Sequence, residues 1–160
     1  MALSKGDTVP DVPLTIVGAD GPEKRAAKDF FGGRKVVLFA VPGAFTPTCH
    51  NNHMPGFVEN AEAIREKGVD EIAVISMNDP FVMGAWKDAS GADGKVTFIA
   101  DGSGEFTKAA GMDMDMSAVG FGTRSQRYSM IVNDGTVESV NVEETRGVDK
   151  SGAATLMSQL

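Results

Sequence analysis

Cys49 is the only cysteine among the 160 residues, and its neighbours are of the kind that make a thiol reactive. It closes the stretch Val41-Pro42-Gly43-Ala44-Phe45-Thr46-Pro47-Thr48-Cys49. Upstream, Val36 to Val41 is a continuous apolar run, the pattern of a buried parallel strand. Downstream, from about Thr48, the chain can be helical. The spacing therefore predicts a strand-to-helix junction with the sulfur near the helix N-terminus, where free N–H groups and roughly half a positive charge favour an anion. The thiolate is such an anion, and it is the nucleophilic form of cysteine. With Thr46 as N-cap and Pro47 at the first helical position, the Thr46 hydroxyl is expected to cap the Cys49 amide.

A thiolate held this way would also profit from a cation. Arg124 and Arg127 flank the start of a strand at Tyr128, and if that strand lies beside the one ending at Val41, an arginine can reach the sulfur. A guanidinium, the Thr46 hydroxyl and the Cys49 amide together would support charge growing on a departing oxygen. The matching chemistry is cleavage of an O–O bond, leaving a sulfenic acid on sulfur. Pro42 and Phe45 would limit access of water. Four residues separate Cys49 from His53, so on a helix both could face one metal, but no fourth ligand is evident and no metal site is expected. His50 makes a poor base for acyl transfer, because adjacent helical residues point apart. Both histidines are expected on a helix surface.

The elements that must position these groups follow from local patterns. Thr15-Ile16-Val17 reads as a strand running into the turn Gly18 to Pro22, and Ala26 to Phe31 as a short helix closed by Gly32-Gly33. Between Cys49 and Lys67, Met54, Phe57, Val58, Ala61 and Ile64 recur at helical spacing, with Gly68 as a stop. Ile72 to Ile75 is a second buried strand. Asp79 and Pro80 begin a helix as N-cap and first residue, and Trp86 on that helix is expected in the core. Val96 to Ala100 is a third strand, followed by a short helix from Ser103 to Ala110. Met112 to Met116 reads as an irregular turn with half-buried methionines. Tyr128 to Val132 and Thr136 to Val142 form a hairpin across Asn133-Asp134-Gly135, and Ala153 to Gln159 is a terminal helix. This order implies an α/β fold, one central mixed sheet flanked by helices, with Cys49 beyond the carboxyl ends of the strands.

Bulk properties narrow the function further. The chain has 22 acidic and 15 basic residues and a net charge of −7, with no basic stretch to recommend nucleic acid or an anionic membrane as a partner. One cysteine allows no internal disulfide framework. Met1 to Thr8 lacks a secretory pattern, so a reducing, cytoplasmic compartment is expected. Gly120-Phe121-Gly122 lacks the third glycine of a dinucleotide fingerprint, and Asp101 to Glu105 is too short for a calcium loop.

Pro42, Thr46 and Cys49, in the order Pro, three residues, Thr, two residues, Cys, resemble the peroxidatic motif of the peroxiredoxins, and the string Phe39 to Pro47 is most similar to the type-five subgroup. The likeness extends through Met54-Pro55-Gly56-Phe57, Val74 to Asp79, Trp86, Arg127-Tyr128-Ser129-Met130 and Asn141-Val142-Glu143, almost the whole of residues 1–160. It implies one thioredoxin-like domain that reduces hydrogen peroxide and organic hydroperoxides in antioxidant defence, without metal or prosthetic group. By motif position Cys49 would be the peroxidatic residue. Thr46 would bond thiolate and peroxide, Pro42 would shield the pocket, and Arg127 rather than Arg124 would polarise both. The amides of Gly43 and Cys49 would hold the substrate. Many type-five members carry a second cysteine near the C-terminus, yet Val148 to Ala153 has none. An outside thiol, glutathione with glutaredoxin or a thioredoxin, is expected to resolve the sulfenic acid. The resemblance also implies a homodimer. The alternative reading is a peroxide-sensing relay without fast turnover.

Overall fold

In the computed structural model, which describes residues 2–145 and 147–160, the chain begins with a hairpin of β1 (Pro13–Gly18) and β2 (Gly21–Ala26). Helix α1 (Ala27–Phe31) leads into β3 (Lys35–Ala40), and the cysteine loop follows. A π-helical turn at Cys49–His53 runs into α2 (Met54–Glu59) and α3 (Ala61–Glu66), then β4 (Glu71–Ser76) and α4 (Pro80–Ser90). Next come β5 (Thr97–Ala100), α5 (Glu105–Ala109) and a small hairpin of β6 (Asp113–Asp115) and β7 (Thr123–Ser125). The chain closes through β8 (Tyr128–Asn133), β9 (Thr136–Val142) and α6 (Ala153–Ser158). None of the helices is long and apolar enough to cross a membrane, among the described residues.

Seven strands form one sheet in the order β2-β1-β5-β4-β3-β8-β9. Strands β3, β4 and β5 run parallel, while β8 runs antiparallel to β3. The sheet is mixed, as the sequence implies. Both faces of β3 are buried because helices cover both. Val37, Phe39 and Val41 pack with Phe57, Ile64, Trp86 and Leu156 on one face, the side of α2, α3, α4 and α6. Val36, Leu38 and Ala40 pack with Phe30, Phe31 and Phe106 of α1 and α5 on the other. The β8–β9 turn has Asp134 at φ 50° and Gly135 at φ 78°, two consecutive left-handed residues of the kind tight hairpins require.

Three local expectations change. Strand β2 was not foreseen, because Gly21-Pro22-Glu23-Lys24-Arg25 is polar and contains proline; it is an edge strand that pairs only with β1, where neither property is excluded. Met112 to Met116 is no irregular turn, since Asp113–Asp115 pairs antiparallel with Thr123–Ser125, although Met114 and Met116 are half-buried as expected. The single helix read from Cys49 to Lys67 is interrupted twice. At its start the Met54 N–H reaches back to the Cys49 carbonyl, five residues away. Pro55 explains this, since it has no N–H for Asn51 and its ring would clash with that carbonyl in α-helical geometry. At Asn60 (φ −102°, ψ 7°) the helix breaks and restarts.

Helix α4 begins as its sequence requires. Asp79 Oδ1 accepts from the Phe81 and Val82 amides at 2.8 and 3.0 Å, with Pro80 leading the first turn. Replacing Asp79 by Ala should cost about 1 kcal/mol of stability in urea unfolding, and Asp79→Asn should recover most of it.

Candidate active site

The register of the central strands puts the cysteine and an arginine together. Ala40 at the end of β3 pairs with Tyr128 at the start of β8, so Arg127, one residue earlier, falls beside Val41. Side chains alternate along a strand. Tyr128 therefore points to the α1 and α5 side, while Arg127 points to the side that carries Cys49. There Arg127 Nη2 donates to Cys49 Sγ at 3.1 Å. Both groups are buried, with Cys49 at 0% and Arg127 at 7% exposure.

That contact is chemically lopsided. No carboxylate lies within ion-pair distance of Arg127 among the described residues. A buried guanidinium without a counter-ion is costly, so the site favours negative charge on the sulfur, or on an oxygen bound next to it. Such a charge-assisted bond is roughly twice as strong as a neutral one.

The loop between strand and helix is built to present the sulfur. Pro47 leads the first helical turn and Thr46 stands just before it, where the sequence places an N-cap. The hydroxyl does not cap Cys49, however. It donates to the Gly43 carbonyl at 2.7 Å, closing the turn from Gly43 to Thr46. This bond uses the hydroxyl's only hydrogen and leaves its lone pairs to accept. The backbone at Gly43 is closely approached: a Cβ there would come within 3.1 Å of Thr46 Cγ2 and 3.2 Å of Arg124 Nη1, so both would have to give by a few tenths of an ångström. Phe45 takes a left-handed backbone, φ 63°, a strained choice for a bulky residue, and its ring is 46% exposed over His50. The loop is also held from the β4–α4 connection. Asn78 Oδ1 accepts from the Ala44 amide at 3.0 Å and from Ser76 Oγ at 2.6 Å. Asn78 was not singled out for this in the sequence, since only the parallel pairing of β3 and β4 brings it alongside.

Arg124 does not reach the sulfur. It is half-buried, donates from Nε to the Phe121 carbonyl at 3.0 Å and from Nη1 to the Pro42 carbonyl at 3.4 Å, and lies over the Phe121 ring. Pro42 is itself buried. A cavity of about 530 Å3 opens in front of Pro42, Thr46 and Arg127. Its outer wall is apolar, made by Met114, Met116, Val119 and Phe121 of the β6–β7 hairpin and its loop.

The two histidines are not the surface residues expected. His50 is half-buried, and its Nδ1 accepts from Trp86 Nε1 at 3.0 Å. His53 is 1% exposed, within 3.1 Å of Arg127 Nη1 through Nδ1 and 2.9 Å of the Ser151 carbonyl through Nε2. A guanidinium can only donate and a carbonyl can only accept, so Nδ1 accepts and Nε2 carries the hydrogen. Cys49 and His53, four residues apart, are joined through Arg127. The π-helical turn places them so, and nothing in the sequence distinguishes a π turn from an α turn except Pro55.

Burial, aided by the Arg127 charge and only partly opposed by the Ser151 bond and Glu143, lowers the His53 pKa to about 4. Glu143 is drawn upward by desolvation, yet bonds from the Ser151 amide and hydroxyl and the Lys150 amide outweigh this and hold its carboxyl below the usual range. All three reach Oε2 at 2.7 Å.

The chain matches the Redoxin family over residues 4–157. Peroxiredoxin-2C of Oryza sativa subsp. japonica is 44% identical to it over 159 residues, which cover 99% of this chain and 98% of the relative. Reduced Prx3 from Vibrio vulnificus in complex with H2O2 has the same thioredoxin-like arrangement of mixed sheet and helices, with a TM-score of 0.93 at 43% identity over 98% of each chain. Peroxiredoxin 5 from Alvinella pompejana gives 0.84 at 37% identity, again over 98% of each.

The depressed pKa of His53 links stability to pH. The unfolded chain takes up a proton near pH 6.5, whereas the folded chain does so only near 4. Stability owed to neutral His53 is therefore complete above 6.5 and declines as pH falls toward 4, by about 3 kcal/mol in all. Urea unfolding of the native chain and of His53→Asn should show the difference between them shifting by about that amount across this window.

Proposed function

We propose, for a chain that belongs to the peroxiredoxins and is therefore a thiol-dependent peroxidase, that Cys49 is its peroxidatic residue and that Arg127, Thr46 and the loop from Pro42 to Cys49 complete the site. The observation that carries this reading is the buried Arg127 Nη2–H···Sγ bond at 3.1 Å. The Cys49 thiolate attacks the terminal oxygen of the hydroperoxide, and the O–O bond breaks as the S–O bond forms. The departing alkoxide or hydroxide takes up one proton, giving alcohol or water, while sulfur loses two electrons and becomes a sulfenic acid.

Each neighbour has a part in that step. Arg127 stabilises the thiolate at first and then the charge that moves onto oxygen. Thr46 Oγ1, its hydrogen already given to Gly43, accepts the O–H of the bound peroxide. The amides of Gly43 and Cys49 donate to the peroxide oxygens, and Cys49 lies in the first turn, where N–H groups have no helical partner. Pro42 and the apolar wall of Met114, Met116, Val119 and Phe121 keep water away and offer room for an organic hydroperoxide as well as hydrogen peroxide.

Turnover then needs an outside thiol, because these residues include no second cysteine. The thiol attacks the sulfenic acid, water leaves, and a mixed disulfide forms on Cys49; a second thiol releases Cys49 reduced. Glutathione with glutaredoxin, or a thioredoxin, in a reducing cytoplasmic compartment fits this need. Ser151, in the stretch where many relatives carry their second cysteine, is buried and engaged with Glu143. A homodimer is part of the same reading, supported by the exposed apolar side chains of Phe45, Phe81 and Val119.

Stopped-flow oxidation followed by steady-state peroxide consumption tests the assignment. Cys49→Ser should abolish activity, and Arg127→Ala should lower the oxidation rate about 100- to 1000-fold. Thr46→Val should be nearly as damaging, while Thr46→Ser keeps most of the rate. Repeated turnover with glutathione and glutaredoxin, or with thioredoxin, is expected; one stoichiometric oxidation that then stops would leave a sensor rather than this enzyme.

A further inference from the structure

We infer that His53 is the positioning residue for Arg127, and that the Glu143–Ser151 clasp anchors it, so that the segment after β9 sets the aim of the guanidinium. The inference rests on the role given above to Arg127, and it extends beyond the residues that touch the peroxide. Its basis is a continuous series of bonds. Glu143 Oε2 accepts from the Lys150 amide, the Ser151 amide and the Ser151 hydroxyl, each at 2.7 Å. Ser151, 0% exposed, turns its carbonyl to His53 Nε2 at 2.9 Å, and His53 Nδ1 meets Arg127 Nη1 at 3.1 Å. Arg127 Nη2 ends the series on Cys49 Sγ. The backbone closes it into a ring, since the Glu143 amide donates to the Arg127 carbonyl at 2.9 Å.

The chemistry of each partner supports that assignment. A guanidinium is planar, so fixing Nη1 fixes the direction of Nη2. His53 is wedged against Phe39 and Phe57, with ring centroids 5.0 and 5.5 Å away, and cannot swing freely. A carboxylate at this position would hold Arg127 more strongly, but it would cancel the positive charge that Cys49 needs. A neutral imidazole fixes the arginine and leaves its charge to the sulfur. Arg127 and Glu143 are the charged groups that act on the ring.

Two substitutions separate positioning from packing. Asparagine places Oδ1 near where Nδ1 stood and can accept from Arg127, though it gives up the bond to Ser151. Glutamine can keep the Ser151 bond through its amide NH2 but offers Arg127 no acceptor at the Nδ1 position. His53→Gln should slow Cys49 oxidation by hydrogen peroxide about 10- to 100-fold and move the ionisation of Cys49, followed by its ultraviolet absorbance, to higher pH. His53→Asn should restore only part of that loss, since it keeps the acceptor for Arg127 but gives up the anchor at Ser151. Equal rates in the native chain and His53→Gln, or equal losses in both variants with unchanged thiol ionisation, would overturn the positioning role. Arg127→Ala run alongside separates the two readings: if it too is without effect, the assignment of Arg127 fails, and if only it is slow, the role of His53 fails alone. Should a variant not fold, nitrogen NMR of the native reduced chain decides: a neutral His53 with its hydrogen on Nε2 is expected, and a hydrogen on Nδ1 would refute the inference.

Discussion

A buried guanidinium with no carboxylate within ion-pair distance, among the described residues, is the constraint on which this structure turns. Arg127 is 7% exposed, and it spends its donors on Cys49 Sγ and His53 Nδ1. In water such a cation would be hydrated; inside the protein its charge is worth more to any anion that reaches it. In the function proposed above, the thiolate is that anion before reaction and the departing oxygen is that anion during it. Withholding a permanent counter-ion keeps the electrostatic force available for the chemical step.

The fold delivers this pair by register. β3 lies between a parallel neighbour and an antiparallel one, and each contributes to the site. From β8 comes Arg127, one residue before the strand pairs with Ala40. Just past the end of β4 comes Asn78, which accepts from the Ala44 amide and is itself held by Ser76 Oγ. A slip of one residue in β8 would turn Arg127 to the opposite face of the sheet. The heavy burial of β3, β4 and β8 on both faces makes that slip costly, so the same packing that stabilises the sheet fixes where Arg127 meets Cys49.

Strain and desolvation collect around the sulfur. Phe45 adopts a left-handed backbone, His53 is buried as a neutral base, and the helix opens with a π turn forced by Pro55. Each is unfavourable in isolation, and such features gather where surrounding structure over-determines them. Here that structure includes the Glu143–Ser151 clasp, Asn78 and the stacked Phe39 and Phe57 rings, 4.1 Å apart.

Much of this was legible from the residues alone. The apolar run to Val41, the proline-framed turn and the helix that follows are local signals, and they located Cys49 at a strand-to-helix junction because short-range sterics and apolar periodicity suffice for that. The Asp79 cap, the Asp134-Gly135 turn and the buried Trp86 were readable for the same reason. Edge strand β2 and the β6–β7 hairpin were not, since their polar residues pair only because a neighbouring strand offers free backbone groups. The residues alone left Arg124 and Arg127 as equal candidates, and the family resemblance favoured Arg127. Tertiary structure decided the matter physically: strand pairing brings Arg127 to a sulfur 78 residues earlier in the chain and leaves Arg124 on the Pro42 carbonyl. It also turned His53 from an expected surface residue into a buried neutral acceptor, and took the Thr46 hydroxyl from Cys49 to Gly43. The His53 bond depends on where the distant Ser151 carbonyl comes to lie, and the Thr46 bond on how the loop turns back onto Gly43, and apolar periodicity encodes neither.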